Sequence, residues 1–299
     1  MTLPYFTARG ETVVLNDALR AQVRGDFVRC SEGLTQYELT GPAEGQLVLL
    51  VGGLTIPLDY WDPMVTELHE RGYRTLTYSG YGRGYSDRVT ASYDESLFVR
   101  QIQDLVHGLG VAPRHVIGSS MGAVVGMLYV LQARSTVSSL VIVGPAGLLA
   151  RTPSITALLR IPVMNRLLGS ALGHTLLEGH LSHNLRDPAQ VERLAALVRP
   201  CYQVEGSIYA LCATLTDFAL ARRQDLYRAV RDCGLPTMLL WGDEDQVTPA
   251  DRWDEAMELL APTQAELIRR TGHMVSFELP ELTAQLFTDF ATTHQGAQP

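Results

Sequence analysis

The segment Gly118-Ser119-Ser120-Met121-Gly122 sets two hydroxyls between glycines, after the apolar run His115-Val116-Ile117 and ahead of Ala123-Val124-Val125. A serine becomes an effective nucleophile only where a base stands beside it and a tight turn lifts its hydroxyl clear of the backbone. A sharp strand-to-helix turn forces its central residue into a strained conformation, and the residues two positions away must be small or collide. Centred on Ser120, those positions are Gly118 and Gly122; centred on Ser119, they are Ile117 and Met121. Ser120 is the candidate nucleophile, at the start of a helix whose N-terminus favours developing negative charge. Taken alone, the same glycines would suit a turn in which Ser120 merely caps the helix.

Nucleophilic chemistry also needs a base, an acid to orient it, and donors for an oxyanion. Of the eight histidines, His273 lies in Thr271-Gly272-His273-Met274, between an expected strand and an expected helix. His69 and His107 fall on amphipathic helices, and His115 begins a strand at the opposite end of the sheet. His174, His180 and His183 belong to a helical insertion, where surface or pocket-lining roles are expected, and His294 is in the tail. For the acid, Asp243-Glu244-Asp245 follows another strand. Asp245 is preferred, with Asp243 left open. The order Ser120, Asp245, His273 is one of the known triad orders. Oxyanion donors are expected from the N–H of Met121, next to the nucleophile, and of Leu54 in the loop Gly52-Gly53-Leu54-Thr55-Ile56-Pro57.

Those loops need elements to position them. Six short apolar runs, 46–53, 73–80, 114–120, 138–145, 236–243 and 265–272, read as strands buried on both faces of a parallel sheet. Residues 26–41 read as a hairpin with Gly33 in its turn. Between the runs, 59–72, 96–110 and 121–133 carry helical periodicity, with 121–133 apolar almost all round and so central. Residues 146–234 break this rhythm and read as several short helices punctuated by Pro153, Pro162, Gly169, Gly173, Pro188 and Pro200. Leu158, Leu159, Ile161, Val163, Met164, Leu167 and Leu168 are expected to face the core or line a pocket. The last residues are expected to fray.

The totals bound the function. The 299 residues are 46% hydrophobic and 19% charged, ordinary for a globular α/β chain, and the net charge of −8 argues against nucleic acid. Cys30, Cys201, Cys212 and Cys233 form no C-x-x-C pair, so zinc and redox roles lack support, and a reducing compartment, the cytoplasm, is expected. The N-terminal stretch lacks a basic start followed by an apolar run, so no signal peptide is expected. No apolar run nears the about 18 residues of a membrane span.

Together, Gly52–Pro63, Gly80–Arg88, Gly118–Gly122, Trp241–Pro249 and Gly272–Glu281 resemble the α/β-hydrolase superfamily over nearly the whole chain. The nearest branch holds esterases, monoacylglycerol lipase-like enzymes and carbon–carbon hydrolases. The resemblance implies an α/β fold with a mostly parallel eight-stranded sheet flanked by helices. It implies a core of 1–145 and 235–299, and a helical cap over the site at 146–234. It also implies a triad of Ser120, Asp245 and His273. The run Gly80–Arg88 resembles a loop that shapes the site without taking part in the chemistry. The chain departs from the pattern twice. Relatives often carry His-Gly at Gly52-Gly53, the histidine steadying the oxyanion loop, and Asp at Ser79. The expected activity is hydrolysis of a small-molecule carboxylic ester with an apolar group, through an acyl-enzyme, without metal or organic cofactor. A carbon–carbon hydrolase or lactonase using the same triad, or a non-catalytic ligand binder, are the alternatives. Oligomeric state is left open.

Overall fold

A computed structural model describes residues 5–149 and 158–294. Its sheet comprises β1 (Asp26–Arg29), β2 (Leu34–Thr40), β3 (Leu47–Val51), β4 (Arg74–Tyr78), β5 (His115–Ser119), β6 (Ser139–Val143), β7 (Thr237–Gly242) and β8 (Gln264–Ile268). The strands lie in the order β1-β2-β4-β3-β5-β6-β7-β8. The hairpin β1–β2 and the β2–β4 pair are antiparallel, and all other pairs are parallel. Every residue of β3, β5, β6 and β7 is buried, as continuous apolar runs in a sheet covered on both faces require. The last expected strand differs. Nothing pairs beyond β8, so its residues are half-buried or exposed, with Leu267 41% exposed.

Helices α1 (Asp62–Glu70), α2 (Glu95–Gly108) and α3 (Met121–Gln132) fall where the periodicity places them. Asp94 caps α2 by accepting the Leu97 N–H at 3.0 Å. Helix α3 is buried nearly all round, against the sheet and α2. Between β6 and β7 run α4 (Pro162–Ser182), α5 (Pro188–Cys201), α6 (Ser207–Asp217) and α7 (Gln224–Asp232). The first is a single helix of 21 residues rather than several short ones. Gly169 and Gly173 do not interrupt it; they let Phe6 and Ile208 pack against its backbone, where a Cβ would lie 2.4 and 2.2 Å from them. Pro153 and the tail beyond His294 lie outside the described residues.

The apolar run entering α4 also departs from expectation. Leu159 is buried, yet Leu158, Ile161, Val163 and Leu167 are 39 to 67% exposed. Apolar character permits burial without enforcing it, and the first turns of α4 project beyond the packing reach of the core. Helices α8 (Trp253–Leu260) and α9 (Pro280–Thr293) complete the layers after β7 and β8. The carboxyl ends of the parallel strands thus share one rim. It carries Gly52–Leu54, Ser79–Arg83, Ser120, Gly144, Asp243–Asp245 and Thr271–His273.

Candidate active site

Ser120 stands between β5 and α3 with φ 58° and ψ −120°, a conformation that costs a non-glycine residue about 1–3 kcal/mol. The turn is held by Ser120 N–H donating to Val143 O at 2.9 Å and Ala146 N–H donating to Ser120 O at 3.2 Å. The steric argument for glycines on both sides has measurable content. A Cβ on Gly118 would lie 2.5 Å from Gly122 O, and one on Gly122 would lie 2.2 Å from Val51 O. Either contact is impossible without moving backbone.

His273 is 1% exposed and Asp245 5%. The His273 Nδ1–H donates to Asp245 Oδ2 at 2.7 Å, which leaves Nε2 as the ring's proton acceptor. The carboxylate is held from all sides. Oδ1 accepts the Val247 and Thr248 N–H groups at 2.8 Å each, and Oδ2 accepts the Thr248 hydroxyl at 2.8 Å and Trp241 Nε1–H at 3.2 Å. Asp243 accepts the Arg270 N–H instead, on the surface. The structure therefore selects Asp245 from the two aspartates left open.

Ser120 reaches this pair through β6. Val143 and Ala146, which bond the Ser120 backbone, flank Gly144, and a Cβ on Gly144 would lie 3.3 Å from both His273 Nδ1 and Asp245 Oδ2. Gly144 has φ 47°, so the close approach and the backbone both favour glycine there. Among the described residues no hydrogen bond joins the Ser120 hydroxyl to His273. Such bonds are commonly long before substrate binds and tighten in the reactive complex.

The loop Gly52–Pro57, expected to supply an oxyanion donor, also approaches Ser120: a Cβ on Gly53 would be 3.3 Å from Ser120 Cβ. Neither Leu54 N–H nor Met121 N–H has a protein acceptor among the described residues, so both remain available to a ligand. At Ser79 the hydroxyl accepts the Leu58 N–H at 3.1 Å and donates to Gln36 Oε1 at 2.9 Å, so it fastens the far end of that loop.

The other histidines divide as their surroundings dictate. His115 is a core residue bonded to Ser139 Oγ at 2.8 Å and Gln46 Oε1 at 2.7 Å, and burial pushes its pKa down to about 4. His180, half-buried on α4, is pushed down to about 4 by burial and by the nearby imidazoles of His273 and His183. It is thus the one insertion histidine next to the site. Asn184, just past α4, accepts the His273 N–H with its backbone carbonyl at 2.9 Å, tying the inserted helices to His273.

Sequence reasoning missed Thr248, Trp241, Gly144 and Asn184. The aspartate of Asp245-Gln246-Val247-Thr248 carried a usable signal, since an aspartate commonly accepts N–H groups two and three residues on. The others carry no local signal. No group of three or more His, Cys, Asp or Glu among the described residues is arranged to hold a metal ion, and no described helix is long and apolar enough to cross a membrane.

Comparison with known proteins fits this geometry. Residues 46–280 match the model of the alpha/beta hydrolase fold family. The monoacylglycerol lipase abhd6-B of Xenopus laevis is 26% identical over 264 residues, covering 85% of this chain and 77% of the relative. Human monoacylglycerol lipase ABHD6 is 25% identical, covering 86% and 79%. A thermophilic esterase from Thermogutta terrifontis superposes with a TM-score of 0.75 at 18% identity, over 90% of this chain and 100% of that one, a likeness of fold. The chain belongs to the alpha/beta hydrolase fold family.

Proposed function

We propose that the protein is a serine hydrolase that cleaves a carboxylic ester with an apolar group through an acyl-enzyme. One observation carries this reading: Ser120, strained at φ 58°, occupies the same rim as the His273–Asp245 pair, bonded at 2.7 Å. In the proposed cycle, His273 Nε2 takes the Ser120 proton as Oγ attacks the ester carbon. Asp245 keeps Nδ1 protonated and stabilises the imidazolium. The Leu54 and Met121 N–H groups hold the oxyanion. His273 then gives its proton to the departing alcohol, and water activated by the same nitrogen frees the acid. The names of the frog and human relatives, monoacylglycerol lipases, support an apolar acyl group.

A p-nitrophenyl ester chain-length series on native protein and Ser120→Ala tests this. Turnover should fall about 10⁴- to 10⁶-fold in the variant. A fluorophosphonate should label native Ser120 and leave Ser120→Ala unlabelled. A folded native protein that takes no label, or a variant within tenfold of native turnover, would overturn the reading. Lactone and carbon–carbon substrates in the same panel sort the alternative bond types.

A further inference from the structure

Arg83 is 1% exposed, beneath the rim. Its Nε–H donates to the Leu54 carbonyl at 2.7 Å, Nη1 to Tyr81 O at 2.8 Å, and Nη2 to Thr214 Oγ1 on α6 at 2.8 Å. All three acceptors are neutral, and no ion pair among the described residues includes this guanidinium. A buried charge without a counter-charge is costly and persists only where fixed dipoles replace water around it. Arg83 also lines, with Gly52, Gly53 and Met121, a void of about 10 Å³ under the oxyanion loop. A second buried arginine, Arg88, follows five residues on. It bonds Ser207 Oγ at 2.6 Å and Cys201 O at 3.0 Å, and makes no bond to the oxyanion loop.

We propose that Arg83 is the positioning residue of the oxyanion loop, holding the Leu54 carbonyl so that the Leu54 N–H faces the space beside Ser120. The proposal rests on the serine-hydrolase reading. Residue 52 is glycine and offers no side chain to brace the loop, and Ile56 N–H reaches Gly53 O only at 3.5 Å. The bracing comes from outside, from Ser79 Oγ at Leu58 N–H and from Arg83 at Leu54 O. The Arg83 bond fixes the Leu54–Thr55 peptide and with it the Leu54 Cα, so the Leu54 N–H can turn only by a coupled rotation of Gly53 ψ and Leu54 φ rather than with the loop as a whole. The guanidinium, stacked over the Phe98 ring at 5.3 Å and without a carboxylate partner among the described residues, also sets a positive potential beside the proposed oxyanion site. The bond to Thr214 makes the same side chain a link between the loop and the inserted helices.

The test compares Arg83→Met, Arg83→Lys and Arg88→Met with native protein, measuring kcat and KM on a short-chain ester, the inhibition constant of an alkyl boronic acid, and Tm. Both methionine variants lose packing and should lower Tm. Only the Arg83 variants should lower kcat, by about 10- to 10³-fold for Arg83→Met and less for Arg83→Lys, with KM within about threefold. The boronic acid, which forms an anionic tetrahedral adduct, should weaken in step with kcat. If Arg83→Met does not fold, Arg83→Lys carries the test. A folded Arg83 variant with kcat and boronate affinity within twofold of native would overturn the proposal, as would an equal kcat loss in Arg88→Met. Native protein that neither turns over esters nor binds the boronic acid would refute the serine-hydrolase reading itself, and the role of Arg83 would fall with it.

Discussion

At the sheet rim, Asp245 and His273 are 5% and 1% exposed, and each polar atom of the carboxylate has a placed donor. In the first turns of α4, Val163 and Leu167 are 67% and 59% exposed and have no comparable set of fixed partners. The difference follows from what each region must hold constant. A proton can be passed only between atoms fixed to a fraction of an ångström. Under the proposed function, the inserted helices need no such precision. Polar contacts that join the two regions include Asn184 O with His273 N–H, Arg186 with Glu244, Arg83 with Thr214, and Arg88 with Ser207.

Substitutions can test how far that contrast extends. The largest effect is expected at the rim. Asp245→Asn should cut kcat on a short ester by about 10³- to 10⁴-fold, because an amide does not hold Nδ1 protonated toward it, and should lower Tm as well, since its NH2 must face donors that the carboxylate accepts. A loss under tenfold would show that the rim tolerates more than its geometry implies. Next comes the buried part of the insertion. Leu159 is 1% exposed, and Leu159→Ala should cost about 2–4 kcal/mol in urea unfolding, as a core truncation does.

The pH dependence of stability comes third. The pKa of His115 falls from 6.5 unfolded to about 4 folded, so below pH 6.5 the unfolded chain takes up a proton that the native state refuses. Stability should fall as pH drops from 6.5 to 4, by about 3 kcal/mol at most for this group, and remain level above 6.5. His115→Asn should flatten that slope, read from urea midpoints across the same pH range. The smallest effect is expected on the exposed face. Leu167→Ser should change stability by no more than about 0.5 kcal/mol. A loss resembling that of Leu159→Ala would show that this leucine is covered in solution.

Much of the site was legible because its constraints are local in the chain. The glycines two residues either side of Ser120 are demanded by the turn itself, and contacts of 2.2 to 2.5 Å would meet any larger residue there. Runs such as Leu47–Val51 and Ser139–Val143 announce covered parallel strands because no polar side chain interrupts them, apart from Ser139 at an end. The insertion was less legible. Its glycines looked like breaks, yet Gly169 and Gly173 sit inside one helix, because whether a glycine ends a helix or admits a neighbour depends on what packs there. The apolar run entering α4 looked like core or pocket lining, since hydropathy does not reveal which turn of a helix runs past the edge of the layer beneath it.

The sequence by itself determined the sheet, the strained turn at Ser120, and the order in which Ser120, Asp245 and His273 arrive at strand ends. These depend on residue type and on spacing within a few positions. Only the tertiary structure decided that Asp245 rather than Asp243 meets His273. It also decided that Asn184 O accepts the His273 N–H, and that Arg83 grips Leu54, 29 positions away, and Thr214, 131 away. A buried polar group takes whichever partner the folded chain brings within about 3 Å, and that proximity is a property of the packed molecule rather than of any segment.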